Sequence, residues 1–143
     1  MGSITDISPA EEKLATEFWV EVAKQVPDWR AAVDQKVHPS ELRRDYIHAH
    51  GIALQAFAIA GASLIAARPR TWQKDLAKLR KVDWLRQKAD LWEGRALIGG
   101  RLNKAQNNVV LTANVLKRTL GLSLSPTEMK VERLYEQGRR RAR

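Results

Sequence analysis

The stretch Pro39–Ala67, PSELRRDYIHAHGIALQAFAIAGASLIAA, decides the fold. Its first half mixes apolar residues with charged ones, whereas its second half, from Ile52 to Ile65, is apolar or small on nearly every side. A helix without a polar side must be surrounded by protein or by lipid. Pro39 suits the first position of a helix, and Arg68-Pro69 ends it because a proline disfavours helical geometry in the preceding residue. The sequence therefore predicts one central helix.

The surroundings of this helix are predicted to be protein. Its uninterrupted apolar run is shorter than the roughly 20 residues that a membrane span needs, and Gln55 interrupts it. We therefore expect no membrane partner. Small side chains at helical spacing let another helix approach closely, from the same chain or from a second copy. This pattern leaves open intramolecular packing and a homo-oligomer formed through the central helix, and it comprises Ala49, Ala53, Ala56, Phe57, Ala60 and Gly61.

Further helices are marked by start signals and apolar periodicity. Ser8 to Glu11 and Ser125 to Glu128 are capping boxes with proline at the first helical position. Met129 and Leu134, and with them Val131 and Tyr135, are expected to anchor the last helix. The fold class is thus all-α, a compact bundle of about five to six helices around the central helix. The predicted helices other than the central one are Pro9–Gln25, Trp29–Asp34, Trp72–Lys81, Trp84–Leu91, one from Asn103–Asn108 to Leu120, and Pro126–Gly138.

The chain length of 143 residues suits one domain, predicted over residues 1–138, with a basic tail over 139–143. The net charge of +9 is uneven along it. The first 50 residues carry six Lys/Arg and nine Asp/Glu, residues 68–104 eleven and four, and residues 105–143 eight and three. A strongly basic half indicates a polyanion partner, with DNA the first candidate. A solvated basic surface without a partner is the alternative.

The sequence contains no constellation typical of catalysis. Cysteine is absent, so thiolate metal sites and cysteine nucleophiles are excluded. His38, His48 and His50 lack an HExxH spacing, and no GxSxG motif is present. We therefore expect no enzyme, no cofactor and no metal site. The first residues lack the basic and apolar regions of a signal peptide, which fits a cytoplasmic protein.

The segment Trp92–Lys104 is rich in glycine and in basic residues, and we interpret it as an ordered loop. Its Gly99-Gly100 pair, flanked by Arg and Lys, could present backbone N–H groups to a phosphate, although no nucleotide-binding motif is present. The residues predicted to bind nucleic acid lie in this loop, in the helix after it and in the tail. They are Arg95, Arg101, Lys104, Asn107, Asn108, Lys117, Arg118, Arg139, Arg140 and Arg141.

Two segments together resemble a known family. ELRRDYIHAHGIALQA (Glu41–Ala56) and WEGRALIGGRLNKAQNNVVLTANVLKRTLGLSLSPTE (Trp92–Glu128), with DWLR (Asp83–Arg86) between them, are similar to the C-terminal part of the DndB-like, DNA-sulfur-modification-associated proteins. The resemblance implies a bacterial cytoplasmic protein that binds DNA and regulates phosphorothioation genes, rather than the modifying enzyme. A helical interaction or dimerisation module without nucleic-acid binding is the alternative.

The DGQHR motif, which the family carries towards its N-terminal side, is missing here. The resemblance therefore implies either a C-terminal fragment or a short relative, and no function of the DGQHR region carries over. The positions that match are Arg43, Arg44, Asp45, His48, His50, Trp92, Glu93, Arg95, Gly99, Gly100, Arg101, Asn107, Asn108 and Asn114.

Overall fold

The computed structural model describes residues 8–26, 47, 51–85, 87–98, 101–102 and 105–142. Within these ranges the chain is helical apart from one short antiparallel hairpin, which confirms the predicted all-α class. The hairpin consists of β1 (Leu97–Ile98) and β2 (Arg101–Leu102). The helices are α1 (Pro9–Gln25), α2 (Gly51–Ala67), α3 (Trp72–Asp75), a 3₁₀ helix (Leu76–Lys81), α4 (Ala89–Trp92), α5 (Gln106–Thr119) and α6 (Pro126–Ala142).

Helix α2 lies at the centre of the core, as its sequence predicts. It carries no charged residue, and its most extensive contacts are with α5. Helix α5 meets it with apolar side chains that include Val109 and Leu116, both at most 2% exposed. Burial of apolar surface on both helices drives this contact. The buried residues of α2 are Ile52, Ala53, Ala56, Phe57, Ala60, Gly61 and Leu64.

The small-residue side of α2 is covered within one chain. The ring of Phe18 on α1 lies directly over Gly61, where an added Cβ would come within 2.3 Å of ring carbons. Ala53, Ala56 and Ala60 are likewise at most 2% exposed. This side is therefore ordinary core and is not open to a second copy of the chain. The solvent-facing side of α2 instead carries Leu54, Ala58, Ala62 and Ala66.

Aromatic rings close the core on the side of α4. Trp84 stacks on Trp92 at 5.1 Å between ring centroids, and Phe57 of α2 lies 5.3 Å from Trp84. Trp92 is fully buried, and its indole N–H donates to the Asp83 carbonyl at 2.8 Å. The backbone N–H of Ile47 donates to the Trp84 carbonyl. This side of the core is therefore held by aromatic packing with its indole donor satisfied.

Helix ends follow the capping signals. At α1 the Ser8 hydroxyl accepts from the Glu11 N–H. At α6 the Ser125 hydroxyl accepts from the Glu128 N–H, and the Glu128 carboxylate accepts from the Ser125 N–H. Helix α5 ends at Gly121, whose φ of 76° favours glycine, and the Leu122 N–H bonds back to the Lys117 carbonyl. This is a Schellman arrangement, as the glycine there predicts.

Three predicted elements differ from the structure. The helix predicted over Trp72–Lys81 is α-helical for one turn and then becomes a 3₁₀ helix, and Trp72, Leu76 and Leu79 are buried in the core. The helix predicted over Trp84–Leu91 is confined to Ala89–Trp92, because Trp84 packs into the aromatic cluster instead. The segment predicted as a loop contains the β1–β2 hairpin. The predicted helix Trp29–Asp34 and the first part of the central helix lie outside the described residues.

Helix α6 departs from its prediction in length and in orientation. It continues past Gly138 to Ala142, so Arg139–Arg141 belong to a helix rather than to a tail. Arginine favours the helix, and Gly138 has open space around it. Met129 and Leu134, expected to anchor α6, are 49% and 55% exposed. Their place towards the core is taken by Glu132, which is only 3% exposed.

No helix among the described residues combines the length and the apolar character needed to cross a bilayer.

Two glycine-to-alanine substitutions should have opposite effects. Gly61→Ala places a methyl group against the Phe18 ring, so we expect a loss of roughly 1–3 kcal/mol in the free energy of unfolding. Gly138→Ala on exposed α6 should raise it by roughly 0.5–1 kcal/mol, because alanine favours the helix. Urea denaturation followed by circular dichroism measures both. Equal effects of the two substitutions would contradict the close α1–α2 packing.

Candidate nucleic-acid interface

Arg95, predicted from sequence as a phosphate contact, lies in the interior of the protein. It follows Gly94, whose φ of 85° turns the chain between α4 and β1. Its guanidinium forms a bidentate pair with the Glu132 carboxylate of α6, with N–O distances of 2.5 and 3.0 Å, and donates to the Leu111 carbonyl at 3.1 Å. The Tyr135 ring lies 4.3 Å from the guanidinium carbon. Arg95 lies in the segment that leads into the hairpin, residues 93–98, which we call the hairpin region. It joins this region to α5 and α6.

Glu132 collects further donors from α5. The Asn114 amide donates to it at 3.1 Å, and the Arg118 guanidinium lies 3.4 Å from its other oxygen. One turn earlier on α6, Glu128 pairs with Lys117, whose side chain is 7% exposed. Two carboxylates of α6 therefore face three cations of the hairpin region and α5. We call these five residues the α5–α6 ion cluster: Arg95, Lys117, Arg118, Glu128 and Glu132.

The cluster keeps its carboxylates ionised. Burial by itself would raise the pKa of Glu132, but the hydrogen bonds and charge of Arg95, with help from Asn114 and Arg118, outweigh burial and hold that pKa below its usual range. Burial likewise opposes ionisation of Glu128, and bonds from Lys117 and the Ser125 N–H lower its pKa. The cluster therefore stabilises the fold only while both carboxyl groups are deprotonated.

The cluster is not fully satisfied. The Oδ1 atom of Asn114 is buried and finds no hydrogen-bond partner among the described residues. A buried acceptor without a partner costs roughly 1–3 kcal/mol. The contact between α5 and α6 therefore leaves one buried acceptor beside the cluster without a donor.

Three of the residues predicted to bind nucleic acid are thus reassigned to the interior. Arg95 and Lys117 are 8% and 5% exposed and carry intramolecular partners. Asn108 is 7% exposed and donates to the Arg95 carbonyl at 2.6 Å. In this arrangement the protein itself holds their polar groups: α6 supplies the carboxylates for Arg95 and Lys117, and the Arg95 carbonyl accepts from Asn108.

Other predicted residues do reach solvent. Asn107 is exposed at the start of α5, Arg118 has a side chain 52% exposed, and Arg139 is exposed beside Tyr135 on α6. Nucleic-acid binding stays a prediction for all ten residues, and for the remaining four the side-chain position is not described. The side chains of Arg101, Arg140 and Arg141 and the whole of Lys104 lie outside what the structure describes.

A basic surface that the sequence prediction missed lies on α3 and the 3₁₀ helix. Residues 70–81 contain five basic residues and a single acidic one, Asp75. Asp75 is held by Arg68 at 3.5 Å, by Lys78 at 3.7 Å and by the Thr71 hydroxyl. We call the exposed cations of this segment the basic ridge: Arg70, Lys74, Lys78, Arg80 and Lys81. The charge excess over residues 68–104 was the sequence signal for it.

Arg68 fixes the ridge to the end of α5. Its guanidinium donates to the Leu120 and Gly121 carbonyls at 3.0 and 3.1 Å, where α5 exposes unpaired acceptors. A cation at a helix C-terminus also opposes the negative end of the helix dipole. The basic ridge therefore begins next to Arg68, which is fixed to the C-terminal end of α5. The last turn of α5 also carries the exposed Arg118.

No group of three or more His, Cys, Asp or Glu suited to a metal ion is found among the described residues. His38, His48 and His50 lie outside them. The structure thus presents two groups of charged side chains. One is the exposed basic ridge, and the other is the largely buried α5–α6 ion cluster.

Comparison with known proteins then gives the family. The sequence matches the DndB family, described as DNA-sulfur modification-associated, over residues 4–123, which are 120 of the 143 residues. The chain belongs to this family. The prediction that the resemblance concerns the C-terminal part only is wrong, since the match includes the N-terminal part of the chain. Curated proteins and solved structures gave no match.

Acid should reduce the contribution of Glu132 to the free energy of unfolding. The folded protein binds a proton at Glu132 less readily than the unfolded chain, so its stabilisation is complete above the ordinary carboxyl pKa of 4.5 and is lost as the pH falls below it. We expect Glu132→Gln to lower the free energy of unfolding by roughly 2 kcal/mol at pH 7, the range for charge-assisted hydrogen bonds. The difference from wild type should shrink at pH 3.5.

The matched control is Glu136→Gln, which removes the same charge from an exposed position of α6. Its effect should stay within about 0.5 kcal/mol at both pH values. Urea denaturation of the three proteins gives the comparison. A cost of Glu132→Gln that does not change with pH would contradict an ionised Glu132 in the cluster.

Proposed function

We propose that this protein is a DNA-binding regulator of DNA phosphorothioation genes, acting in the bacterial cytoplasm, rather than the enzyme that modifies DNA. Membership of a family associated with DNA sulfur modification supports a role in that system. The observation that carries DNA binding is the basic ridge, because five exposed cations with one neutralised carboxylate form a local positive surface. Such a surface is the electrostatic footprint of a phosphate-binding protein.

The outer face of α6 adds to this surface. Its three carboxylates are Glu128, Glu132 and Glu136, and the first two are turned inward to the ion cluster. The cations Lys130, Arg133 and Arg139 face solvent. The inward pairing therefore leaves α6 predominantly positive outside. Phosphate contacts from the ridge supply affinity, the outer cations of α6 attract DNA to the protein, and Asn107 at the exposed start of α5 is a candidate for contact with bases or phosphates.

Removal of ridge cations should weaken DNA binding and flatten its salt dependence. The paired substitutions Lys74→Ala and Lys81→Ala eliminate two exposed ridge cations. The slope of log affinity against log salt should fall by about 2 in magnitude, since each neutralised phosphate contributes about 0.9. Fluorescence anisotropy of a labelled phosphorothioation-gene promoter duplex, beside a scrambled duplex, measures this slope over a series of salt concentrations.

The control for charge alone is the pair Lys13→Ala and Lys24→Ala on α1, where the neighbouring Glu17 and Glu21 make the surface acidic. This pair should leave the slope unchanged. A preference for the promoter over the scrambled duplex supports regulation. Equal binding of both duplexes would leave only a basic surface, and equal effects of both double variants would exclude the ridge as the interface.

The alternative function, a dimerisation module, is favoured by one observation. An apolar groove of about 390 Å³ lies between α1 and α2, with Glu11 at its edge. Half-buried Trp19 and exposed Ala62 line it, and Leu14 is 38% exposed. A second copy that placed the same groove against this one would cover the solvent-facing side of α2. In that case the dimer uses the opposite side of α2 from the one the sequence indicated.

Ala62→Arg tests this alternative because it puts a charge into the groove without entering the core. If the groove is a dimer interface, the variant should convert a dimer into a monomer with an unchanged circular dichroism spectrum. Sedimentation velocity of both proteins gives the answer. A wild-type protein that sediments as a monomer at high micromolar concentration excludes the alternative.

A further inference from the structure

We propose that Arg95, Lys117 and Arg118 form a phosphate-binding site for the DNA backbone, and that Glu128 and Glu132 of α6 occupy this site as substitutes for phosphate. The site rests on the DNA-binding function proposed above and adds to it a contact surface that α6 covers. DNA then binds in competition with the protein's own last helix.

Most donors of the cluster converge on the oxygens of a single carboxylate. The Arg95 fork faces both oxygens of one carboxylate, and Asn114 and Arg118 approach the same two oxygens. A guanidinium fork pairs with a phosphate in the same bidentate manner as with a carboxylate. Lys117, one residue before Arg118, supplies a compact charge to the neighbouring Glu128. Donors that converge in this way suit two adjacent phosphates as well as two adjacent carboxylates.

Helix α6 is attached mainly through charged rather than apolar side chains. Among its described side chains only that of Glu132 is buried. Met129 and Leu134 are exposed, and Val131 and Tyr135 are half-buried. Helix α2, by contrast, is held by buried apolar surface. Desolvation of a buried ion pair offsets much of its attraction, so α6 is held less firmly than the rest of the fold.

The family match ends before α6 begins. The match covers residues 4–123 and so includes all three cations, whereas α6 begins at Pro126. The carboxylates that neutralise the cations therefore come from a segment outside the match. The segment that matches the family holds the three cations, and α6, which lies beyond the match, covers them.

Tyr135 forms a further contact of α6 with the hairpin region. Its hydroxyl donates to the Glu93 carbonyl at 3.2 Å, and its ring lies over Gly94, where a Cβ would come within 2.7 Å of it. This contact sets the position to which α6 returns after release. It makes the covered state specific without burying a large apolar surface.

Hydrogen exchange of the wild-type protein tests the proposal without any substitution. Amides of residues 126–142 should lose protection when the labelled promoter duplex saturates the protein, because DNA displaces α6 from the site. Amides of α2 should keep their protection and serve as the internal control. Unchanged or increased protection of α6 in the DNA complex would show that the ion cluster is only structural.

Glu132→Gln and Glu136→Gln give a second, independent measurement. Each removes one negative charge from α6, but only Glu132 covers Arg95. Duplex affinity should be about tenfold higher for Glu132→Gln than for Glu136→Gln at each salt concentration, because only the first substitution weakens the group that competes with phosphate for Arg95. Equal affinities, with DNA bound by both variants, overturn the covered site and leave the proposed function intact. If neither the wild-type protein nor Glu132→Gln binds duplex, both proposals fail.

Discussion

The contact between α2 and α5 is the constraint on which the rest of the structure depends. Helix α2 has 17 residues without a charge, so water cannot cover it and other helices must. Helix α5 covers one side, α1 covers Gly61 with the Phe18 ring, and the Trp84–Trp92 stack closes the side next to Phe57. The side that carries Ala58, Ala62 and Ala66 remains open to solvent. Because α5 is fixed against α2, its other side faces the hairpin region and α6 with a defined set of polar groups.

That second side of α5 follows a different physical rule from the first. Between α2 and α5 the contact is apolar, whereas between α5 and α6 it consists of ion pairs and amide bonds around Glu132. Apolar contacts resist water and salt, but ion pairs depend on pH and on competing anions. The molecule therefore combines a core of fixed helices with one helix whose position responds to its chemical surroundings. This difference is what makes α6 a suitable cover for a phosphate site.

Family membership and charge distribution support one another. The family is associated with DNA sulfur modification, and the described part of this chain exposes cations on the basic ridge and on the outer face of α6. Arg68 anchors the ridge to the carbonyl end of α5, close to the turn that presents Arg118. Rigid helices thus place the exposed cations, and phosphate contacts from rigid positions fix the register of a protein on DNA. The acidic first turn of α1 suits no phosphate, because Glu11 and Glu12 would repel it.

The sequence by itself determined the helices that have strong local signals. Capping boxes at Ser8 and Ser125, the uncharged α2 and the glycine after α5 each specify their structure within a few residues, and the structure agrees with them. The short segments around Trp84 and the hairpin were not predictable in this way, because contacts with distant residues override weak local preferences.

Tertiary structure alone decided which cations are available to a partner. In sequence Arg95 and Lys117 look as free as Arg118, since nothing nearby in the chain neutralises them. Their partners are 37 and 11 residues away on α6, and only the docking of that helix brings the charges together. Their apolar character also favoured Met129 and Leu134 as the inward residues of α6. Pairing of two buried cations outweighed that preference, because an unpaired buried charge costs more than an exposed apolar side chain.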